Sequence, residues 1–132
     1  MSLALLAALA AQSVSQAVPP VEWHNGDWAI VLRAPDAVIE VDRASLTIDG
    51  PVVLARIRAD FVQLNRGARW GVSTLEIGCD DRSSGVISAR EYDPLGAYMP
   101  RDIPPRRERV VRDRQAWGLI DGICREAGWR RP

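Results

Sequence analysis

The sequence predicts an α+β fold, an antiparallel β-sheet meander of about six strands packed against a C-terminal α-helix. Short apolar runs alternate with turn residues at close spacing through most of the chain, which is the signature of an antiparallel sheet. Val53, Ala55, Ile57, Ala59 and Phe61 share one side of a run whose other side carries Arg56, Arg58 and Asp60, a period of two that marks a half-buried strand. Near the end the period changes, with Trp117, Ile120, Ile123, Cys124 and Ala127 recurring at spacings of three and four. At 132 residues the chain has room for one domain.

Taken in order, Trp28–Arg33 is a compact apolar strand after the turn-prone His24-Asn25-Gly26-Asp27. Val38–Asp42 follows a Pro35-Asp36 turn, and Leu46–Ile48 leads into the Asp49-Gly50-Pro51 break. The long strand Val52–Phe61 comes next, then a turn at Asn65-Arg66-Gly67. In Trp70–Cys79, the residues Gly71, Ser73, Leu75, Ile77 and Cys79 share a face, so Cys79 points inward. A turn over Asp80–Gly85 precedes the strand Val86–Tyr92, and Asp93-Pro94-Leu95-Gly96 turns again. Pro100, Pro104 and Pro105 cannot donate to a ladder, so Met99–Pro105 reads as an extended crossing loop. The helix is expected over Val111–Ala127, with Asp113 as its cap and Gly128 as its stop. Gly118 and Gly122 each cost a helix about 1 kcal/mol against Ala, so this helix depends on docking to the sheet.

The beginning of the chain carries a different message. An apolar run, Leu3–Ala11, is followed by polar residues and the small-x-small step Ser15-Gln16-Ala17, which reads as a secretory signal over residues 1–17. Residues 18–132 then form the single mature domain. The run is too short to span a bilayer, and no transmembrane segment is expected in the mature chain. The 17 basic residues offset 17 acidic ones, which argues against a nucleic-acid partner. Every basic residue is arginine, a composition that reads as coding bias.

Cys79 lies beside Asp80, Asp81 and Arg82 and poses the question of chemistry. A nucleophilic cysteine needs a base, and the chain offers one histidine, His24, in a turn-like segment. Two cysteines and one histidine fall short of a four-ligand zinc set, so no metal or cofactor is expected. An exported chain with two cysteines is expected to oxidise them, and both Cys79 and Cys124 are inward by period. A Cys79–Cys124 bridge would close a loop of 46 residues, counted inclusively, and contribute about 4 kcal/mol. The thiol is therefore assigned to framework and no residue is assigned to catalysis.

The segment Arg101–Arg114 concentrates Arg101, Arg106, Arg107, Arg109, Arg112 and Arg114 against Asp102, Glu108 and Asp113. Guanidinium forks match oxyanions, so this is the candidate partner-binding surface. The bland alternative is a solvated helix entry whose acids neutralise their neighbours. Among five tryptophans, Trp28 and Trp117 are core by period, whereas Trp23 and Trp129 have no assigned place.

Together these residues carry a family resemblance. Trp28 on an apolar strand, Val41-Asp42-Arg43-Ala44-Ser45-Leu46, a long strand ending in Phe61, Ser73 and Glu76 before Cys79-Asp80-Asp81-Arg82, Tyr92-Asp93, Gly96 and a helical Cys124 make the chain similar to the surface-adhesin protein E family of bacterial envelope proteins. The resemblance implies a sheet packed on a C-terminal helix, a disulfide, and a periplasmic, secreted or cell-envelope location in a Gram-negative bacterium. It also implies adhesion to host matrix and serum proteins, although no lipobox cysteine stands at the leader junction. The expected function is a non-enzymatic, adhesin-like exported domain with an unidentified protein or acidic glycan partner, and a weak homodimer is compatible with it. The alternatives are a small periplasmic hydrolase using carboxylates such as Glu76 or Asp80, and a purely structural envelope protein.

Overall fold

The structure, a computed structural model, describes residues 17–109 and 114–131. Residues 1–16 of the expected leader, and Val111, Arg112 and Asp113 of the expected helix entry, lie outside the described residues.

Among the described residues, eight strands form one open antiparallel sheet: β1 Trp28–Arg33, β2 Ala37–Asp42, β3 Thr47–Asp49, β4 Val52–Asn65, β5 Ala68–Gly78, β6 Ser83–Tyr92, β7 Tyr98–Met99 and β8 Arg106–Arg109. The order is β1-β2-β4-β5-β6-β7, with β3 paired to β4 and β8 to β6. The six expected strands are all present. β2 and β3 follow one another along the same edge of β4, since Val41 pairs with Ile57 and Thr47 with Leu54. The step between them is built by Asp42 and Ser45. Asp42 accepts from the Ala44 N–H at 3.1 Å, while the Ser45 hydroxyl donates to the Asp42 carbonyl at 2.7 Å and accepts from the Arg56 N–H at 2.9 Å.

Three expectations need correction. β6 begins at Ser83 rather than Val86, so the preceding turn spans Cys79–Arg82. The crossing loop starts only after Met99, because Tyr98 and Met99 pair with Tyr92 and Glu91. Arg106–Arg109 is not part of a helix entry: it is a strand paired with Ser83–Val86. The polar run Ser83-Ser84-Gly85 has no apolar period to betray it, but its backbone groups need partners. The proline loop returns the chain to supply them.

The helix α1, Arg114–Glu126, ends where the glycine signal places it. Gly128 takes φ +73°, its N–H donates to the Arg125 carbonyl at 3.0 Å, and the Trp129 N–H donates to the Cys124 carbonyl at 3.0 Å. This is the Schellman closure, which leaves the residue after the glycine against the last turn of the helix. α1 packs Ile120, Ile123 and Cys124 onto Ala29, Val41, Val53, Ala55, Ile57, Leu75 and Ile77, all buried on one side of the sheet.

The opposite side is also covered, and its cover is the less foreseeable part. Trp23, in a 3-10 turn over Val21–His24, packs with Trp70 and Val72, their two indoles edge to face at 4.9 Å. Trp23 is 8 % and Trp70 5 % exposed, while Trp28 and Trp117 are half-buried, so the assignment of core tryptophans is corrected. Three arginines hold the segment down. Arg56 donates to the carbonyls of Asn25 at 2.6 Å and Glu22 at 3.1 Å, Arg58 donates to the Trp23 carbonyl, and Arg90 meets the Glu22 carboxylate at 2.5 Å. The Arg58 guanidinium also lies 4.8 Å from the Trp23 ring and 4.5 Å from that of Trp28, a favourable cation–π placement. Upstream, the Val18 N–H donates to the Pro94 carbonyl at 2.8 Å. Gly96, at φ +83°, makes room there, since a Cβ would stand 2.7 Å from the Val18 oxygen.

The two helix glycines now separate. A β-bulge between Ile30 and Leu32 presents both Val31 and Leu32 to α1. A Cβ at Gly122 would stand 2.9 Å from the Val31 carbonyl oxygen, whereas at Gly118 it would meet only Leu32 Cδ1 at 3.6 Å. Gly118→Ala should therefore stabilise the protein by up to about 1 kcal/mol through helix propensity. Gly122→Ala should destabilise it by about 1–3 kcal/mol, because backbone must move. Urea unfolding of the two variants should show opposite signs.

A candidate binding cleft over the disulfide

The turn Cys79–Arg82 is the hub of the candidate site. The Cys79 N–H donates to the Pro51 carbonyl at 2.9 Å, and the Cys79 sulfur is bonded to Cys124, with a Cα–Cα distance of 6.1 Å. The thiol is consumed by this bond, which ends its candidacy as a nucleophile or ligand. Asp81 accepts from the Ser83 N–H at 3.1 Å. The Ser83 hydroxyl, followed by that amide and by the charge of Arg107, holds the Asp81 carboxyl below its ordinary value despite some burial. Arg82, at φ +51°, closes the turn and sends its side chain across to the helix. There it meets Asp121 at 3.4 and 3.3 Å and lies 4.5 Å from the Trp117 ring.

Between this turn and the end of α1 opens a cleft of 720 Å³, floored by Cys79 and Cys124. The Schellman closure delivers Trp129, Arg130 and Arg131 to its rim, and Arg125 comes from the last helical turn. Arg131 donates to the Asp80 carbonyl at 3.4 Å. Among the described residues, Arg125, Arg130 and Arg131 make no ion pair, whereas most other arginines do. A second cleft of 500 Å³ adjoins, lined by Ile48, Gly50 and Pro51 and sharing Asp80, Gly128, Trp129 and Arg130 with the first. The Trp129 Nε1–H donates to the Gly50 carbonyl at 3.1 Å, which fixes the indole as the wall between them.

The arginine segment is arranged differently. Arg101 donates to Glu91 Oε1 at 3.3 Å and to the Asn65 carbonyl at 3.3 Å, with its side chain 25 % exposed. Arg107 donates to Glu76 Oε1 at 2.8 Å and to the Ser83 hydroxyl at 3.0 Å. Arg106 pairs with Glu108 on the same strand. Arg109 ends β8 and Arg114 begins α1, while Arg112 lies outside the described residues. Glu76, one of the carboxylates considered for hydrolysis, is thus held by Arg107, and Asp80 stands apart from it on the cleft. No group of three or more His, Cys, Asp or Glu among the described residues is arranged to hold a metal ion. No described helix is long and apolar enough to cross a membrane.

Sequence reasoning treated the end of α1 as a stop and passed over Arg125, Trp129, Arg130 and Arg131. The available signal was Gly128-Trp129-Arg130-Arg131 directly after a helical cysteine expected to be bridged. A Schellman glycine turns such residues back onto the helix and the bridge.

No protein-family model and no curated protein sequence matches the chain. Solved structures do. A second crystal form of Haemophilus influenzae protein E is similar over 86 % of this chain and 98 % of that one, at 15 % identity and a TM-score of 0.57. Another crystal structure of the same protein covers 86 % and 94 %, with 15 % identity and a TM-score of 0.56. The protein E structure from non-typeable Haemophilus influenzae covers 86 % and 84 %, with 15 % identity and a TM-score of 0.54. An antiparallel sheet with a C-terminal helix, matched over nearly the whole length of these proteins, gives this chain a protein E-like fold.

Proposed function

We propose that the chain is an exported, non-enzymatic envelope domain that binds a protein partner in the manner of an adhesin. The observation that carries this reading is the gathering of Arg125, Arg130 and Arg131, which make no ion pair among the described residues, beside Trp129 on one open cleft. Arginine and tryptophan are the residue types that concentrate binding energy at protein interfaces. A catalytic reading has less to draw on: neighbouring groups hold the Asp81 carboxyl below its ordinary value, Asp121 is ion-paired with Arg82, and Cys79 is bridged and offers no thiolate. In the Arg101–Arg114 segment, Arg101, Arg106 and Arg107 already have carboxylate partners.

The reading is tested with immobilised protein and a panel of purified extracellular-matrix and serum proteins, by biolayer interferometry. Saturable binding to at least one of them is expected, weakened tenfold or more by the charge reversals Arg125→Glu, Arg130→Glu and Arg131→Glu. Arg106→Glu with Arg109→Glu reports on the arginine strand in the same assay. Binding to none of the panel, or binding indifferent to both sets of reversals, would count against the proposal. Export is read from the same gene: protein recovered from the periplasm should begin at Val18.

A further inference from the structure

We propose that the two adjoining clefts form one groove for a peptide segment that carries a carboxylate next to a leucine-sized apolar side chain. This rests on the protein-binding reading and specifies its ligand chemistry. The two halves differ in chemistry. The 720 Å³ half holds Arg125, Arg130 and Arg131, and the 500 Å³ half is walled by Ile48, Pro51 and the Trp129 indole. Arg130 and Trp129 line both, so a carboxylate on the guanidiniums and an apolar group against the indole would lie side by side. Guanidinium forks bind carboxylates bidentately, and an apolar group in the niche gains by leaving water.

Charge pattern favours a peptide over a densely charged glycan. Asp80 and Asp121 stand among the arginines, and each like charge opposes a polyanion. A single carboxylate meets less of that opposition than a run of sulfates does, and peptide N–H groups can donate to Asp80. The groove is also preorganised. Its floor is cross-linked by Cys79–Cys124, and Trp129 is held by Gly50, so little ordering is needed on binding.

One chemistry can come from two sources, a chain terminus or an acidic side chain, and the probes separate them. The experiment uses fluorescence anisotropy of N-terminally labelled Gly-Ser-Gly-Ser-Gly-Leu as the free acid, its amide, the amide of Gly-Ser-Gly-Ser-Leu-Asp, and leucine-to-alanine versions of each. Binding of an acid-bearing leucine peptide is expected, at least tenfold tighter than the plain amide and about fivefold tighter than the alanine version. Arg125→Ala, Arg130→Ala and Arg131→Ala together should weaken it tenfold or more. Ile48→Ser, at an exposed site that leaves the fold intact, should weaken only the leucine peptides. Tightest binding of the free acid identifies the terminus, and tightest binding of the aspartyl amide identifies the side chain. The proposal is overturned if neither the free acid nor the aspartyl amide binds more tightly than the plain amide, and equally by insensitivity to the arginine substitutions. A sulfated oligosaccharide that binds more tightly than any peptide and ignores Ile48→Ser also overturns it. If all peptides fail while a panel protein is still captured through Arg125, Arg130 and Arg131, the peptide assignment falls and the protein-binding reading stands.

Discussion

Replacing Cys79 and Cys124 together with alanine is expected to lower stability by about 4 kcal/mol, the chain-entropy value for a loop of this length. The bridge spans a sequence separation of 45 residues and joins the end of the sheet to the end of α1. Without it, α1 is retained mainly by the apolar contacts of Ile120 and Ile123 with the sheet. Its two glycines lower its own tendency to form. A net stability of about 5–10 kcal/mol is typical for a domain of this size, so the loss would be a large fraction of the whole. Urea unfolding of the oxidised protein and the double variant measures it, and a difference below 1 kcal/mol would contradict the assigned role. Thiol titration of exported protein, unfolded without reductant, should find none free.

Trp23→Ala should be nearly as costly, at about 3–5 kcal/mol, the range for removing a buried tryptophan. It would empty the space between Trp70, Val72 and the Arg58 guanidinium and release the segment that three arginines hold. Near-UV circular dichroism should report the loss of the Trp23–Trp70 pair, with unfolding giving the magnitude. An effect under 1 kcal/mol would mean that the sheet does not depend on its second cover. Acid tests the same layer. Glu22 is held below its ordinary value chiefly by Arg90, with Tyr92 adding to this against the effect of burial. A carboxylate lowered on folding contributes stability above its unfolded value, near 4.3, and loses it as pH falls through the folded one. Glu22→Gln should therefore flatten the decline in stability below about pH 4.3.

Much of the framework was legible because it obeys local rules. The two-residue period of Val53 to Ala59, the helical period of Ile120 to Cys124 and the glycine stop at Gly128 each appear in the structure as buried faces or a closed helix end. β8 was not legible, since Arg106-Arg107-Glu108-Arg109 has no apolar pattern and pairs only because β6 has an edge to fill. Trp23 was not placed because its burial depends on Trp70, distant in sequence, and on arginines from β4 and β6. The arginine segment was legible as charge but not as availability. Glu76 and Glu91 reach Arg107 and Arg101 only through the register of β5, β6 and the returning loop.

The sequence by itself determined the fold class and the inward direction of both cysteines, because the two-residue and helical periods act residue by residue. Only the tertiary structure decided which guanidiniums find partners within the described chain and which do not. Ion pairing depends on distances between strands and turns far apart in the chain, and on that ground attention passes from Arg101 and Arg107 to Arg125, Arg130 and Arg131 over the disulfide.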